Sequence, residues 1–262
     1  MTRGLYSIAR RLKSNPEKRI LEAMREGRIA LVTGAGRGLG RVIAVRLAET
    51  MAGVAVHYRS HRRGAEATAR LVRDRGAAAE IVPADLSDEA AAKKLVRDVE
   101  RVFGRIDVLI NNVGPILFKP WDKLSAAAWE SVFRGNLLSA YYCLKSALPG
   151  MRRRRWGRVV NIGYGRAEHL AAFPTILPYA AAKTGLLLLT RTAAASEIGS
   201  GIMVNMVSPG LIEGGILPGG RTAARLRLGA PADVAAAVAF LAGEEAGRIT
   251  GTNLIVAGTW KM

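Results

Sequence analysis

From residue 29 onward the chain alternates short runs of Val, Ile and Leu with longer stretches in which apolar residues recur every three or four positions. That alternation predicts βαβ units wound around a parallel sheet. Seven strands are expected, at residues 29–33, 53–58, 79–83, 106–111, 158–162, 202–207 and 253–256. Most are near-continuously apolar, as strands covered by helices on both faces must be. The intervening helices are alanine-rich and amphipathic; residues 89–103 put Ala92, Leu95, Val96, Val99 and Phe103 on one side. No composition break, repeat or low-complexity segment divides residues 29–262, so the expectation is a single α/β domain with a doubly wound parallel sheet.

Residues 1–28 differ. They carry eight Arg or Lys against three Glu, with Asn15-Pro16 between two short helical patterns. They read as a basic helical amino-terminal extension. Its apolar residues Leu5, Ile8, Leu12, Ile20 and Met24 suit packing on the domain or a partner subunit, and its charge suits an anion-binding arm.

Composition narrows the class. A chain of 262 residues, 50% hydrophobic and 23% charged, can bury about 70 to 75% of its unfolded surface, which excludes disordered, collagen-like and coiled-coil readings. The one cysteine, Cys143, cannot close an intramolecular bridge, which suits a reducing compartment. No apolar run approaches the roughly 20 residues that span a bilayer, and no secretory signal opens the chain. A soluble, cytoplasmic protein is expected. The net charge of +18 and pI near 11.0 predict attraction to anions: nucleic acid, an acidic carrier or a phosphorylated cofactor.

The first candidate site is Thr33-Gly34-Ala35-Gly36-Arg37-Gly38-Leu39-Gly40, between the first strand and a helix. Glycines allow a tight turn and close approach to a pyrophosphate, whose charge meets the free N–H groups at the helix start. The spacing is Gly-x-x-x-Gly-x-Gly; the six-residue fingerprint starting at Gly34 fails at Leu39. This context predicts a Rossmann-type dinucleotide site. The second strand ends in His57-Tyr58-Arg59-Ser60-His61-Arg62-Arg63, with no acid before Glu66, although an NAD site would place Asp or Glu there against the ribose 2′-hydroxyl. Arg37, Arg59 and Ser60 can instead hydrogen-bond a 2′-phosphate. NADP(H) is the expected cofactor, with a solvated basic turn as the alternative.

Tyr179-Ala180-Ala181-Ala182-Lys183 follows Pro178, a residue suited to a first helical turn. Four-residue spacing sets Tyr179 and Lys183 on one face. A phenol with a pKa near 10 exchanges protons poorly at neutrality, and a neighbouring ammonium lowers that value. Tyr179 is thus a candidate acid and base.

Taken together, Thr33 to Gly40, Asp85-Leu86, Asn111-Asn112-Val113-Gly114, Asn136, Tyr179 to Lys183 and Pro209-Gly210 resemble the short-chain dehydrogenase/reductase family from about Ile29 to the end. Within it, Ile249-Thr250-Gly251 and Ala180-Ala181-Ala182-Lys183 look most like 3-oxoacyl-acyl-carrier-protein reductases; pteridine reductases are a second resemblance. The resemblance implies that Tyr179 protonates a carbonyl oxygen while NADPH gives hydride to its carbon. It implies that Lys183 binds the nicotinamide ribose and lowers the tyrosine pKa, and that Asn136 holds a water linking Lys183 to solvent. Asp85 and Leu86 would border the adenine, Asn112 and Gly114 would line the cofactor, and Pro209, Gly210 and Ile212 would lie by the nicotinamide. Singly, Asn136 could instead bond backbone, Pro209-Gly210 could be a turn, and Asp85 could cap the following helix.

Two departures stand out. The family's serine after the fifth strand, which bonds the substrate carbonyl, is absent from Asn161-Ile162-Gly163-Tyr164-Gly165-Arg166. Tyr164 holds its place counting from the strand, either as a longer-armed donor or as a packing residue; counting back 13 from Tyr179 lands on Arg166. After Pro209-Gly210, Gly214 stands where a nicotinamide-contacting threonine is common, in a segment that forms a substrate lid in the family. The substrate class is therefore left open among a 3-oxoacyl thioester, a related ketone, a pteridine and a quinone, and a low-turnover NADP-binding scaffold is the alternative.

Arg152 to Arg155 form the densest basic cluster, at a predicted helix end where cations suit the dipole. It offers a face to an acidic carrier or coenzyme A thioester. Nucleic-acid binding is disfavoured, since aromatics do not interleave with the charges. The long helices expected at 126–150 and 178–199 resemble those that pair between family subunits, so a homodimer or homotetramer is expected. Cys143 reads as packing, and His57, His61 and His169 lack metal-ligand spacing.

Overall fold

A computed structural model describes residues 27–215 and 228–257. The expected helices within residues 1–28 fall outside it save for Gly27 and Arg28. The elements run β1 Ile29–Val32, α1 Gly38–Leu47, β2 Gly53–Tyr58, α2 Arg62–Asp74, β3 Ala78–Pro83, α3 Glu89–Phe103, β4 Val108–Asn111, α4 Ala126–Phe133, a π-helical turn Arg134–Leu138, α5 Ser139–Arg154, β5 Gly157–Ile162, α6 Leu177–Glu197, β6 Ile202–Pro209, α7 Pro231–Ala242 and β7 Asn253–Val256. The strands form one sheet in the order β3-β2-β1-β4-β5-β6-β7, every pair parallel. All seven lie within two residues of the positions expected from the apolar runs.

Strand periodicity explains the two layers. Side chains alternate across a strand, so Ala30 and Val32 of β1 enter one core with Ile43 and Leu47 of α1, Val72 of α2 and Val238 of α7. Ile29 and Leu31 enter the other with Leu95 and Val99 of α3, Cys143 and Leu144 of α5 and Ala194 of α6. Helix ends follow local chemistry too. Asp88 caps α3 by accepting from Ala91 N at 2.7 Å, and Gly104, at φ +79°, closes it by donating to Glu100 O at 2.8 Å. Asp85 does not cap α3; it accepts from Ser87 N and Ser87 Oγ at 3.0 and 2.8 Å in a turn before it.

The segment expected as one helix from 126 to 150 runs on to Arg154, but it is interrupted by the π turn that carries Asn136. Asn136 Nδ2 donates to Val132 O one turn back at 2.9 Å and to Pro115 O at 2.8 Å. A side chain thus supplies what the α-helical ladder gives up there, and the buried asparagine is fixed against the loop after β4.

β1 pairs with β2 on one side and β4 on the other, so the order reverses there and a crevice opens beyond the carboxyl ends of β1 and β4. At the opposite end of the sheet the buried Asp107 accepts from Ile29 N at 3.0 Å and pairs with Arg105 at 2.8 Å and Arg154 at 3.3 Å. Arg152 pairs with Glu197, while Arg153 and Arg155 are exposed.

Candidate active site

The glycine-rich loop turns over the carboxyl end of β1. Gly34 and Gly38 have φ of +66° and +53°, a region that disfavours side chains. A β-carbon on Gly40 would stand 2.4 Å from Gly34 O and 2.6 Å from Asn112 Nδ2, whereas Gly38 has open space around it. Arg37 provides no side-chain cap to α1, and no acid lies in its first turn. Amides at a helix start with no side-chain cap, beside a loop whose Gly40 leaves no room for a side chain, suit a phosphate group. The loop is stitched to β4 through Thr33. Asn112 N and Val113 N donate to Thr33 Oγ1 at 2.9 and 3.2 Å, and Asn112 Nδ2 donates to Thr33 O at 2.9 Å.

At the end of β2, Arg59 and Ser60 are exposed, and Arg59 Nη1 stands 3.9 Å from Asp85 Oδ2. Arg37 is exposed on the neighbouring loop. Tyr58 differs from these: it is buried in the core, and its carbonyl accepts from Ala84 N at 3.0 Å. Leu86 is likewise a core residue, while Leu39 is partly buried against the core.

Beyond β4 and β5 the second group converges. Lys183, 3% exposed, donates to Ile162 O at 2.7 Å, and its Nζ lies 5.7 Å from the centre of the Tyr179 ring. A β-carbon on Gly114 would meet Asn136 Oδ1 at 2.3 Å and Lys183 Nζ at 3.1 Å. Only glycine lets these two groups approach. Asn136 Oδ1 is buried and has no hydrogen-bond partner. A lone buried amide oxygen beside an ammonium is a place for a polar guest. Burial pushes Lys183 down to about 7 and pushes the Tyr179 phenol well above its ordinary range, with Tyr164 adding to the second shift. Desolvation therefore outweighs the downward pull that the four-residue spacing predicts for the phenol.

Pro209 ends β6 and accepts from Gly165 N at 2.9 Å, and Gly210 N donates to Val256 O at 3.0 Å. A β-carbon on Gly210 would lie 2.8 Å from Ala257 Cα. Ile212 makes a bridge to Gly229, flanking residues 216–227, where the expected lid lies outside the described residues.

With this geometry in view, residues 34–259 match the family model described as enoyl-(acyl carrier protein) reductase. The chain belongs to the short-chain dehydrogenase/reductase family. It is an oxidoreductase of that family, whose members work with a nicotinamide cofactor. This short-chain dehydrogenase/reductase is 35% identical over 248 residues to the 3-oxoacyl-[acyl-carrier-protein] reductase FabG of Haemophilus influenzae, covering 89% of this chain and 98% of that one. It is 33% identical over 244 residues to 3beta-hydroxysteroid dehydrogenase 1 of Eggerthella lenta, covering 89% and 93%. Its fold matches the crystal structure of acetoin dehydrogenase from Enterobacter cloacae with a TM-score of 0.79 at 29% identity, over 90% of this chain and 99% of that one.

The two departures from the family acquire structural contexts. Tyr164 packs edge-on against Tyr179, ring centres 5.5 Å apart, and against Phe173 at 6.2 Å, so it lies directly beside Tyr179. Arg166 instead lies over Phe173 at 5.3 Å. Gly214 adopts φ +68°, a conformation costly for threonine. Cys143 is buried, its thiol pushed up to about 12 by desolvation, and is a packing residue. Among the described residues no cluster of three His, Cys, Asp or Glu is placed to hold a metal, and no helix is long and apolar enough to cross a membrane.

Thr33, named in the sequence as the start of the loop motif, joins loop and sheet. His57 has no part in the site as read from the sequence, yet it is buried beneath the loop. An inward-facing polar residue at a strand end was the available signal.

Proposed function

We propose that this enzyme is an NADP(H)-dependent carbonyl reductase acting on a 3-oxoacyl thioester or a related ketone. The observation that carries the reading is the convergence of Lys183 and the unpartnered Asn136 Oδ1 on Gly114, with the Tyr179 ring beside Lys183 and a loop suited to pyrophosphate next to them. Gly38 and Gly40 would seat the pyrophosphate, with Gly34 giving the tight turn that brings them to it. Arg37, Arg59 and Ser60 would take the 2′-phosphate, Asp85 and Leu86 would border the adenine, and Asn112, Gly114, Pro209, Gly210 and Ile212 would line the nicotinamide half. Bound NADPH supplies the hydride for the carbonyl carbon.

The chain's own residues handle the proton. Tyr179 Oη gives its hydrogen to the carbonyl oxygen as charge develops there, and Tyr164 Oη donates a second hydrogen bond to that oxygen. Lys183, with a pKa brought near neutrality, is charged for part of the population at pH 7; in that form it stabilises the phenolate left on Tyr179. Lys183 then passes a proton to the Tyr179 phenolate, and Asn136 Oδ1 would hold a water through which Lys183 takes up a replacement from solvent. Exposed Tyr141 and Leu188 on α5 and α6 support a dimer or tetramer, and the net charge of +18 supports an acidic carrier as the thioester's bearer.

The test is a turnover screen with acetoacetyl thioesters, simple ketones, pterins and quinones, run with NADPH and NADH in parallel. Tyr179→Phe should lower carbonyl-dependent NADPH oxidation by at least about a hundredfold and keep NADPH binding. Full activity in that variant would reject Tyr179 as the donor. Cofactor binding without turnover across the whole panel would favour the scaffold reading that Tyr164 motivates.

A further inference from the structure

Among the buried titratable side chains that the proposed chemistry leaves unused is the imidazole of β2. His57 lies at the next-to-last position of β2 and is 2% exposed. Its ring accepts from Gly34 N through Nδ1 at 3.0 Å and meets Ala84 O through Nε2 at 3.1 Å. A carbonyl oxygen can only accept, so the proton sits on Nε2, and Nδ1 keeps the lone pair that Gly34 N–H needs. Both nitrogens are thereby committed, and the ring is neutral in a single tautomer. The backbone of the same residue accepts from Ala35 N at 2.8 Å.

These partners belong to two different loops. Gly34 is the first glycine of the turn after β1; Ala84 immediately precedes Asp85 in the turn after β3. Strand β2 lies between β1 and β3, so the imidazole bridges the two turns that would flank a dinucleotide. Gly34 is also confined on its other side, since a β-carbon there would stand 3.1 Å from both Asn112 Nδ2 and Val113 Cγ2. Its amide is spent on the histidine and is not left for phosphate.

The geometry points to His57 as a positioning residue: a neutral strut that sets the pitch of the glycine-rich loop against the turn after β3, and so governs dinucleotide affinity without entering the chemistry. Its effect on affinity rests on the cofactor reading given above; the strut itself does not. His57 makes no hydrogen bond to Tyr179, Lys183 or Asn136, so its loss acts on binding and leaves turnover at saturating cofactor unchanged.

The full chain tests this in three steps. In the cofactor-free protein at pH 7, the nitrogen resonances of the His57 ring should show the neutral Nε2–H tautomer; an imidazolium or an Nδ1–H tautomer overturns the strut. The Gly34 amide should then exchange with solvent slowly in the wild type and in His57→Asn, whose side-chain oxygen can replace Nδ1 as acceptor. It should exchange at least tenfold faster in His57→Gln, which can keep only the donor to Ala84, and in His57→Leu, which keeps neither. Equal exchange in wild type and Gln variants overturns the proposal, and this pair serves if the Leu variant does not fold. Finally, the Kd for NADPH by fluorescence should rise about tenfold, the order expected for a lost hydrogen bond, in the Gln variant. It should stay within about threefold in the Asn variant, with kcat at saturating NADPH unchanged in both. Faster Gly34 exchange with an unaltered Kd overturns the link to affinity. If the wild type binds neither NADPH nor NADH, the cofactor reading falls while the tautomer and exchange results still judge the strut.

Discussion

At the scale of single residues, the site combines groups that burial holds away from their ordinary protonation. Lys183 shows the cost of this. Its ordinary pKa is 10.5 and the folded value is about 7, so between those values the unfolded chain binds more protons and stability rises with pH. Lys183→Met should flatten that rise between pH 7 and 10, as followed by thermal melts, while abolishing turnover. His57 carries the same sign at lower pH. Its ordinary value of 6.5 falls to about 4, with burial as the main cause and Asp85 the charged group acting against it. Its contribution is complete above pH 6.5 and is lost as pH falls toward 4, a difference of about 3 kcal/mol in all. Wild type should therefore lose stability below pH 6 more steeply than His57→Asn, read from urea midpoints at pH 7 and pH 5. Tyr164 makes a third case. If its hydroxyl bonds the carbonyl oxygen, Tyr164→Phe should lower kcat by about a hundredfold with little change in KM; an unchanged kcat would make it a packing residue against Tyr179 and Phe173.

Among the elements, two glycines of one loop should respond differently to the same change. Gly38→Ala meets open space and carries only the left-handed backbone penalty, about 1 kcal/mol. Gly40→Ala drives a methyl to 2.4 Å from Gly34 O, so the loop must open; it should cost more than about 2 kcal/mol in thermal melts and weaken NADPH binding at least tenfold. The elements themselves were legible in the sequence because the strands are unbroken apolar runs and the helices keep a 3.6-residue period. The turn at Arg134–Leu138 was not. A π turn adds one residue to a helical course without altering its composition, and here it accompanies a side-chain bond from Asn136 to Val132 O that no periodicity reveals. The candidate site divided along the same line. Glycine spacing and the Tyr179–Lys183 interval were visible locally, whereas the approach of Asn136 and Lys183 to Gly114 joins three distant segments, and the bridge made by His57 depends on which strands lie side by side.

For the whole molecule, the decisive property is an excess of 39 basic over 21 acidic residues. Such a charge should draw in a polyanionic cofactor and be screened by salt. Raising ionic strength from about 10 to 150 mM is expected to raise KM for NADPH by more than KM for NADH, the extra phosphate being the difference, and Arg37→Ala with Arg59→Ala should remove most of that gap. The sign and size of the charge were plain from composition. Its distribution was not, because Arg152 and Arg154 of the densest cluster are tied to Glu197 and Asp107 at the end of the sheet remote from Tyr179. One feature of the long bent course through α4 and α5 reaches across the entire fold. Excising a single codon within residues 134–138 would restore an ordinary α-helical winding with the flanking helices kept in nearly their present register, since a π turn spends about one residue more than an α turn on the same rotation. Eight buried residues anchor α5 against one of α4, so α5 would hold its seat while the wide turn that presents the asparagine to the lysine closes, yielding a folded but chemically silent protein.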